Sequence, residues 1–463
     1  MLHILCVNNK VKTFTLKKIL LLILVLYGML SSGANAESLN FNDFLTDSLY
    51  TSYNLKISKI EQAIAHKGIK EAQSGYYPTL NAFATGERYN NLAGGNTQIT
   101  AVGNEILLNR SYYQDMAALG LSYNIFDFGA RRRQLDIAKA DDRQKELILQ
   151  KSTRDLKLDT VDLYGETLNL YKILQIKTET LSLQNELIEI NNRLREAGEL
   201  SEVELLDRKI EASETKTELD EIKNNLAKKL SEVSFYTNRN YNIEDLVIED
   251  FPKDIDNVDI SDGVIKLSAQ MLSFLPEKSF EAQAADLEIL KKKKEYEIQK
   301  KMNYPKIRFD TRYNFYGSDP NNFFSGLEDI SQRSLTIRLS ASMVFFDGFK
   351  NVNTIAKKKL EIEKAKVEKE RQIAELKKKY EQIIQDSHHA LIQAENNAAT
   401  LELVNKNLEN LKRLHSNGLA AQEDCIKRQI ELLKKKQTLE QNQIKNFTAK
   451  YKLKILSTEQ ENM

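Results

Sequence analysis

Arg193–Glu211 reads RLREAGELSEVELLDRKIE, and Arg413–Glu431 reads RLHSNGLAAQEDCIKRQIE. The two stretches superpose without a gap at an offset of 220 residues, so that Arg193/Arg413, Leu194/Leu414, Gly198/Gly418, Arg208/Arg428, Ile210/Ile430 and Glu211/Glu431 coincide. Working outward, the same offset lays Phe126-Asp127 over Phe346-Asp347, and an offset of 227 lays Tyr77-Pro78 over Tyr304-Pro305. Two of the five prolines therefore occupy equivalent places. Three matches in the same order describe an internal duplication, which governs how the rest of the chain is read.

Each half follows one plan. A helical stretch, Phe41 to Gln73 and then Phe280 to Met302, ends at the Tyr-Pro pair. Proline stops a helix and pushes its predecessor toward extended geometry, so a strand is expected next. Polar loops follow at about residues 90–112 and 316–333. Beyond them the alternation is strict: Leu119, Leu121, Tyr123 and Ile125 in one half, and Leu335, Ile337, Leu339, Ala341, Met343 and Phe345 in the other. Period two with one apolar face is the strand pattern. Then, from about Arg131 to Leu194 and from Asn351 to Leu414, proline is absent and apolar residues such as Leu156, Leu163, Leu170, Leu174, Leu181 and Ile188 recur at heptad-like spacing. Helices of this length reach about 100 Å. Gly198 and Gly418 break the pattern with an expected positive φ, and a return helix begins. The expectation is two long antiparallel coiled-coil hairpins, with the Lys291–Lys294 and Lys357–Lys359 runs as solvated faces.

Composition agrees. Only 17 Gly and 5 Pro in 463 residues, with no Trp, leave little material for turns. Lys10, Lys12, Lys17 and Lys18 precede the apolar run Ile19–Leu30 and the sequence Ala34-Asn35-Ala36, the layout of a secretory signal cleaved after Ala36. That run is too short to span a bilayer, which needs about 20 apolar residues. Losing those four lysines leaves 63 basic against 66 acidic residues, a net charge of −3 from an initial +1. Neither value points to nucleic acid. The domain reading is a signal at 1–36, a first repeat at 37–250, a linker at 251–275 and a second repeat at 276–463.

No catalytic, cofactor or metal motif is found. Adjacent His388 and His389 point about 100° apart on a helix and cannot chelate like an i, i+4 pair. Cys6 leaves with the signal, and Cys425 reads as a small packing residue. What remains is architecture. Four amphipathic strands cannot insert alone, since the smallest closed membrane barrels need about eight and an open edge in lipid is not tolerated. Several chains must pool their strands, with the hairpins standing off the membrane as a helical cylinder. The alternative is a secreted coiled-coil scaffold that binds other proteins and conducts nothing.

Over nearly the whole mature chain, these features resemble the TolC-like outer-membrane efflux proteins. The resemblance rests on the duplicated junctions Tyr77-Pro78 and Tyr304-Pro305, on LSYNIFDFGARR (Leu121 to Arg132) with its partner ASMVFFDGF (Ala341 to Phe349), and on the two R-L-x-x-x-G tips. It implies a mainly α fold with membrane β: a homotrimer pooling four strands per chain into a 12-stranded outer-membrane barrel, over an α-helical periplasmic barrel. It further implies docking to a periplasmic adaptor and an inner-membrane pump or ABC transporter, for drug efflux or type I secretion. Arg193, Leu194, Gly198, Arg413, Leu414 and Gly418 would then form the adaptor-docking tips. Relatives carry an Arg two residues past the second tip glycine and an Asp-x-x-Asp pair at the aperture. Here those positions hold Ala420, Asp424 and Lys427, while Glu204 and Asp207 share one helical face in the first hairpin. The aperture expected is an acidic ring of Asp424 with Glu204 and Asp207, weakened by Lys427 pairing to Asp424.

Overall fold

The computed structural model describes residues 37–90, 98–101, 104–107, 112–244, 246–252, 277–319, 322–328 and 332–461. In chain order the elements are β1 (Glu37–Leu39), α1 (Phe41–Thr51), α2 (Tyr53–Ser74), β2 (Thr79–Tyr89), β3 (Gln98–Ala101), β4 (Asn104–Leu107), β5 (Tyr112–Phe126), α3 (Ala130–Glu196) and α4 (Glu202–Thr237). There follow β6 (Leu246–Ile248), α5 (Phe280–Lys300), β7 (Lys306–Asp319), α6 (Phe323–Glu328), β8 (Gln332–Ser342), α7 (Lys350–Ser416) and α8 (Gln422–Glu461). The proposed signal, and the segment 251–275 apart from Phe251 and Pro252, lie outside the described residues.

Packing divides the chain into two compact units. One is built from 56–151 and 276–376, the other from 1–55, 152–275 and 377–463. Each sequence repeat contributes to both.

In the first unit the long strands form one antiparallel sheet in the order β2-β5-β7-β8. The turns before it are alike in both halves. Tyr77 donates its backbone N–H to Ser74 and Tyr304 donates to Lys301, and a strand begins one residue after each proline. Expectation and structure differ in the intervening segments. The expected loop at 90–112 contains the β3–β4 hairpin, paired Gln98 to Leu107. The one at 316–333 contains the end of β7 and the helix α6, because β7 keeps its ladder with β5 as far as Asp319. Strand β8 stops at Ser342, so Met343 and Phe345 lie beyond it.

Strand passes to helix through a matched device. Phe128 and Gly129 take φ of 52° and 79°, and Gly348 and Phe349 take 66° and 64°. Two successive left-handed residues turn the chain, and the Asp of each Phe-Asp pair caps the helix. Asp127 accepts N–H bonds from Gly129 at 3.0 Å and Arg131 at 3.1 Å, and Asp347 accepts from Asn351 at 2.9 Å. A phenylalanine in this conformation is disfavoured by roughly 1–2 kcal/mol. At Phe128 the ring packs on Phe126 and edge-on against Tyr304 at 5.0 Å. Both helices that follow are 67 residues long. The lysine runs are in part ion-paired rather than merely solvated: Lys291 reaches Asp141 and Glu288, Lys294 reaches Asp136, and Lys358 reaches Glu295 and Glu361. Burial alone would lower the Lys291 pKa, but its two carboxylate partners more than offset this and raise it.

The second unit holds the aromatic core. Phe41, Tyr164, Phe251 and Tyr451 meet with ring centroids 4.7–5.3 Å apart, surrounded by Leu39, Phe44, Leu226, Leu230 and Val233. Phe251, at the start of the expected linker, is thus a core residue; fully burying one such side chain stabilises by about 1.5–3 kcal/mol. Strands β1 and β6 pair in parallel beside this core. The Tyr164 hydroxyl donates toward the carbonyls of Glu249 (2.6 Å) and Leu39 (3.1 Å), and burial pushes its pKa up. Along α3 the buried row includes Ile173, Ile176, Thr180, Gln184, Leu187 and Asn191, whereas Leu181 and Ile188 are only half-buried. The apolar heptads alone misplaced this seam, because polar Thr180, Gln184 and Asn191 occupy it.

Tyr164→Phe should remove the donor while keeping the ring. The Glu249 carbonyl then loses that partner, at a cost of about 1–3 kcal/mol. Urea unfolding of the purified protein measures it, and an unchanged midpoint would show the hydroxyl to be dispensable.

Candidate functional site

The hairpin tips are built by backbone geometry. Gly198 and Gly418 have φ of 81° and 73°. Gly198 N–H bonds to Arg195 and Glu199 N–H to Leu194; Gly418 N–H bonds to His415 and Leu419 N–H to Leu414, all at 2.9 Å. Each tip is therefore a Schellman turn, and an added Cβ would meet nothing within 4 Å at either glycine. Conformation, not space, calls for glycine there. The leucine carbonyls close the turn, so the local role belongs to the backbone of Leu194 and Leu414. Their side chains remain outside that role: Leu414 is exposed and Leu194 half-exposed, beside exposed Arg193 and Arg413.

The two return helices start differently. Ser201 caps α4, accepting from the Glu204 N–H at 3.2 Å, and its hydroxyl lies 3.5 Å from the Glu204 carboxylate. Glu204 is thus part of its own helix cap. The equivalent of Ser201 is Ala421, which has no capping side chain. Asp424 lies in the first turn of α8, exposed, where the helix dipole favours a carboxylate. Lys427 departs from expectation. It pairs with Glu423 one turn back, not with Asp424, because i, i+4 brings the longer glutamate within reach. Asp424 makes no ion pair among the described residues. Asp207 is exposed on the same helix as Glu204. Sequence reading missed an apolar row at the first tip: Val203, Leu206 and Ile210 are exposed at i, i+3, i+7 spacing, as is Leu419 at the second. The spacing was legible, but only the structure shows Leu205 turned inward and these three outward.

Other side chains singled out earlier are peripheral. His388 and His389 are both exposed, His389 beside a cleft of about 480 Å³ that also takes in Asp162, Asp386 and Lys452. Cys425 is buried and free.

The second candidate surface is the four-stranded sheet, whose register sorts its side chains by face. Leu121 lies opposite Thr311 and then Ile337; Tyr123 lies opposite Phe309 and then Leu339; Leu119 lies opposite Tyr313 and then Leu335. These residues share one face, with Ile337 65% and Leu339 68% exposed. The other face carries a polar network. Ser122 donates to Asp310 at 2.9 Å, Arg308 bonds both Asp310 and Ser122, Asn314 donates to Ser334, and Arg312 stacks over the Phe83 ring. Strands β2 and β8 are the sheet's outer strands, each paired on one side only among the described residues. Among the described residues no helix is long and apolar enough to cross a membrane.

Comparison with known proteins agrees with this geometry. The family model described as outer membrane efflux protein matches residues 45–239. No curated protein sequence matches the chain. Among solved structures, the outer membrane protein VceC from Vibrio cholerae is similar at 13% identity and a TM-score of 0.69, over 90% of this chain and 95% of that one. The Campylobacter jejuni CmeC outer membrane channel aligns at 15% identity and a TM-score of 0.67, over 90% of this chain and 85% of its own. The open-state Neisseria gonorrhoeae MtrE outer membrane channel aligns at 15% identity and 0.52, over 89% and 88%. The resemblance read from the sequence therefore holds: residues 45–239 carry the outer membrane efflux protein pattern, and the chain has the fold of TolC-like outer-membrane channels.

Proposed function

We propose that the chain is the outer-membrane exit duct of a tripartite export system, a homotrimer whose pooled strands close a 12-stranded β-barrel above a helical periplasmic barrel. A periplasmic adaptor would dock at the hairpin tips, and an inner-membrane pump or ABC transporter would supply the energy to move drugs or secreted proteins through the duct. Export by the cleaved signal at 1–36 and the duplication of 37–250 in 276–463 belong to the same reading. The observation that carries it is the sheet. One face is apolar and exposed, the other is polar and cross-bonded, and both edges are open. A sheet in lipid needs the first property and cannot keep the last, so further copies must supply the missing ladders. The matched lengths of α3 and α7 and the paired left-handed junctions support the duplication. Outer-membrane fractionation, an oligomeric band on an unheated gel and single-channel conductance in planar bilayers test the whole. A soluble periplasmic monomer would favour the scaffold reading.

The lipid face makes the first prediction here. Ile337→Arg at mid-membrane depth should cost about 2–4 kcal/mol, lowering the yield of the heat-labile oligomer, whereas Ser340→Arg on the polar face should cost far less. Equal impairment by both would show the faces to be assigned wrongly.

Docking makes the second. Leu194→Ser with Leu414→Ser keeps the backbone carbonyls that close both Schellman turns. Cross-linking to the adaptor should fall while the oligomer persists; loss of the oligomer itself would assign these leucines to assembly.

The aperture makes the third. Three copies of Asp424, joined by Glu204 and Asp207, would form an acidic ring favouring cations, as charged rings do in pores. Asp424→Asn should lower the cation-to-anion permeability ratio. Lys427→Asp, which would also release Glu423, should raise it. Unaltered ratios in both variants would remove Asp424 from the constriction.

A further inference from the structure

The in-chain contact between the two halves specifies how one copy meets the next. In the sheet β5 pairs with β7, with Ala118 opposite Asn314. The repeat carries β5 onto β8 at an offset of 220, and the strands begin at Tyr112 and Gln332, the same offset. It carries β7 back onto β2 at 227, and these begin at Lys306 and Thr79, again the same offset. Transferring the β5–β7 register therefore pairs β8 with β2, the two open edges of the sheet. Ala118 maps to Arg338 and Asn314 maps to Glu87.

Two independent observations favour this placement. Arg338 is the one charged residue on the polar face of β8, and Glu87 the one on the polar face of β2. Both are exposed, and neither has an ion-pair partner among the described residues. The transferred register sets these opposite charges directly across from each other, while a slip of two residues would offset them by about 7 Å along the strands and leave them only diagonal neighbours. The helices below repeat the pattern. Ala140 and Leu147 of α3 are 5% and 2% exposed, yet their equivalents Leu360 and Val367 of α7 are 65% and 64% exposed. From the other half α3 meets α5, which gives the Ala284 carbonyl to Gln144 and Lys291 to Asp141. The α2 equivalents of those two α5 residues are Ile57 and Ile64, both exposed.

We infer that the occupant of this edge is a second copy of the chain, with β8 of one copy joined to β2 of the next in the β5–β7 register and Arg338 paired to Glu87 across each seam. This rests on the trimeric duct and adds its register and its ion pair. Charge complementarity at the seam selects one register from those the backbone alone would accept.

Cysteine cross-linking tests the register. In a Cys425→Ser background, Arg338→Cys is combined with Glu87→Cys, or with Thr85→Cys or Tyr89→Cys as two-residue slips. Directly opposed strand residues lie about 4.5–5.5 Å apart between Cα atoms, within the roughly 4.4–6.8 Å that a disulfide spans. Oxidation in native membranes should give intersubunit dimers and trimers with Glu87→Cys, at least about tenfold more than with either slip. Predominant cross-linking through residue 85 or 89, or none in an oligomer that still conducts, would overturn the register and leave the duct standing. A parent chain that forms no outer-membrane oligomer would overturn the duct reading and the seam together. Charge reversal tests the ion pair. Glu87→Arg should lower the temperature at which the oligomer dissociates on gels, and adding Arg338→Glu should restore it. A double variant no better than the single one would remove the ion pair from the seam.

Discussion

An open β-sheet edge is the constraint on which the rest of this structure depends. Strands β2 and β8 each offer a row of outward backbone N–H and C=O groups without a strand partner among the described residues. In water such an edge invites aggregation; in hydrocarbon each unsatisfied group costs several kcal/mol. The side chains fit the second environment. Leucine, isoleucine and aromatic residues share one face, while Ser122, Arg308, Asp310 and Asn314 tie the other together by cross-strand hydrogen bonds. A sheet of this kind is a segment of a wall, and under the proposed reading the wall closes only through other copies.

The helices follow from a different economy of the chain. With so few glycines and prolines, each turn has to be made by a short, specific device. At the strand-to-helix passage it is a pair of left-handed residues and a capping aspartate, with Phe128 and Gly129 in one half answered by Gly348 and Phe349 in the other. At the tip it is a Schellman turn on one glycine. The backbone geometry is the same in both halves although the order of Phe and Gly is reversed, because either order leaves one glycine to ease the left-handed pair. The aromatic core around Tyr164 gathers α1, α3, α8 and the short parallel β1–β6 pair, and so joins segments far apart in sequence.

At the tips, the backbone atoms close the turns and leave the side chains of the same residues outside that role. The carbonyl of Leu414 ends its helix while its side chain stays exposed. Glu204 lies within reach of its own cap, whereas Asp424, preceded by Ala421 in place of a capping serine, has an exposed carboxylate. The two tips therefore differ in local chemistry: one acid helps to cap its own helix, while the other makes no ion pair among the described residues.

The sequence by itself determined the order of elements, both helix-to-strand junctions, the two tip glycines and the phase of the long sheet strands. Each is a short-range consequence of proline chemistry, positive φ or period-two alternation. The β3–β4 hairpin and α6 were not legible, since polar segments carry no periodicity. The pairs of Lys291 with Asp141 and of Lys358 with Glu295 were equally hidden, because those carboxylates lie on other helices. Lys427 taking Glu423 over Asp424 turned on side-chain reach, which spacing alone does not rank. The buried row of α3 was decided only by tertiary packing: Thr180, Gln184 and Asn191 go inward because that side of the helix faces its partners, whatever the apolar count along it suggests.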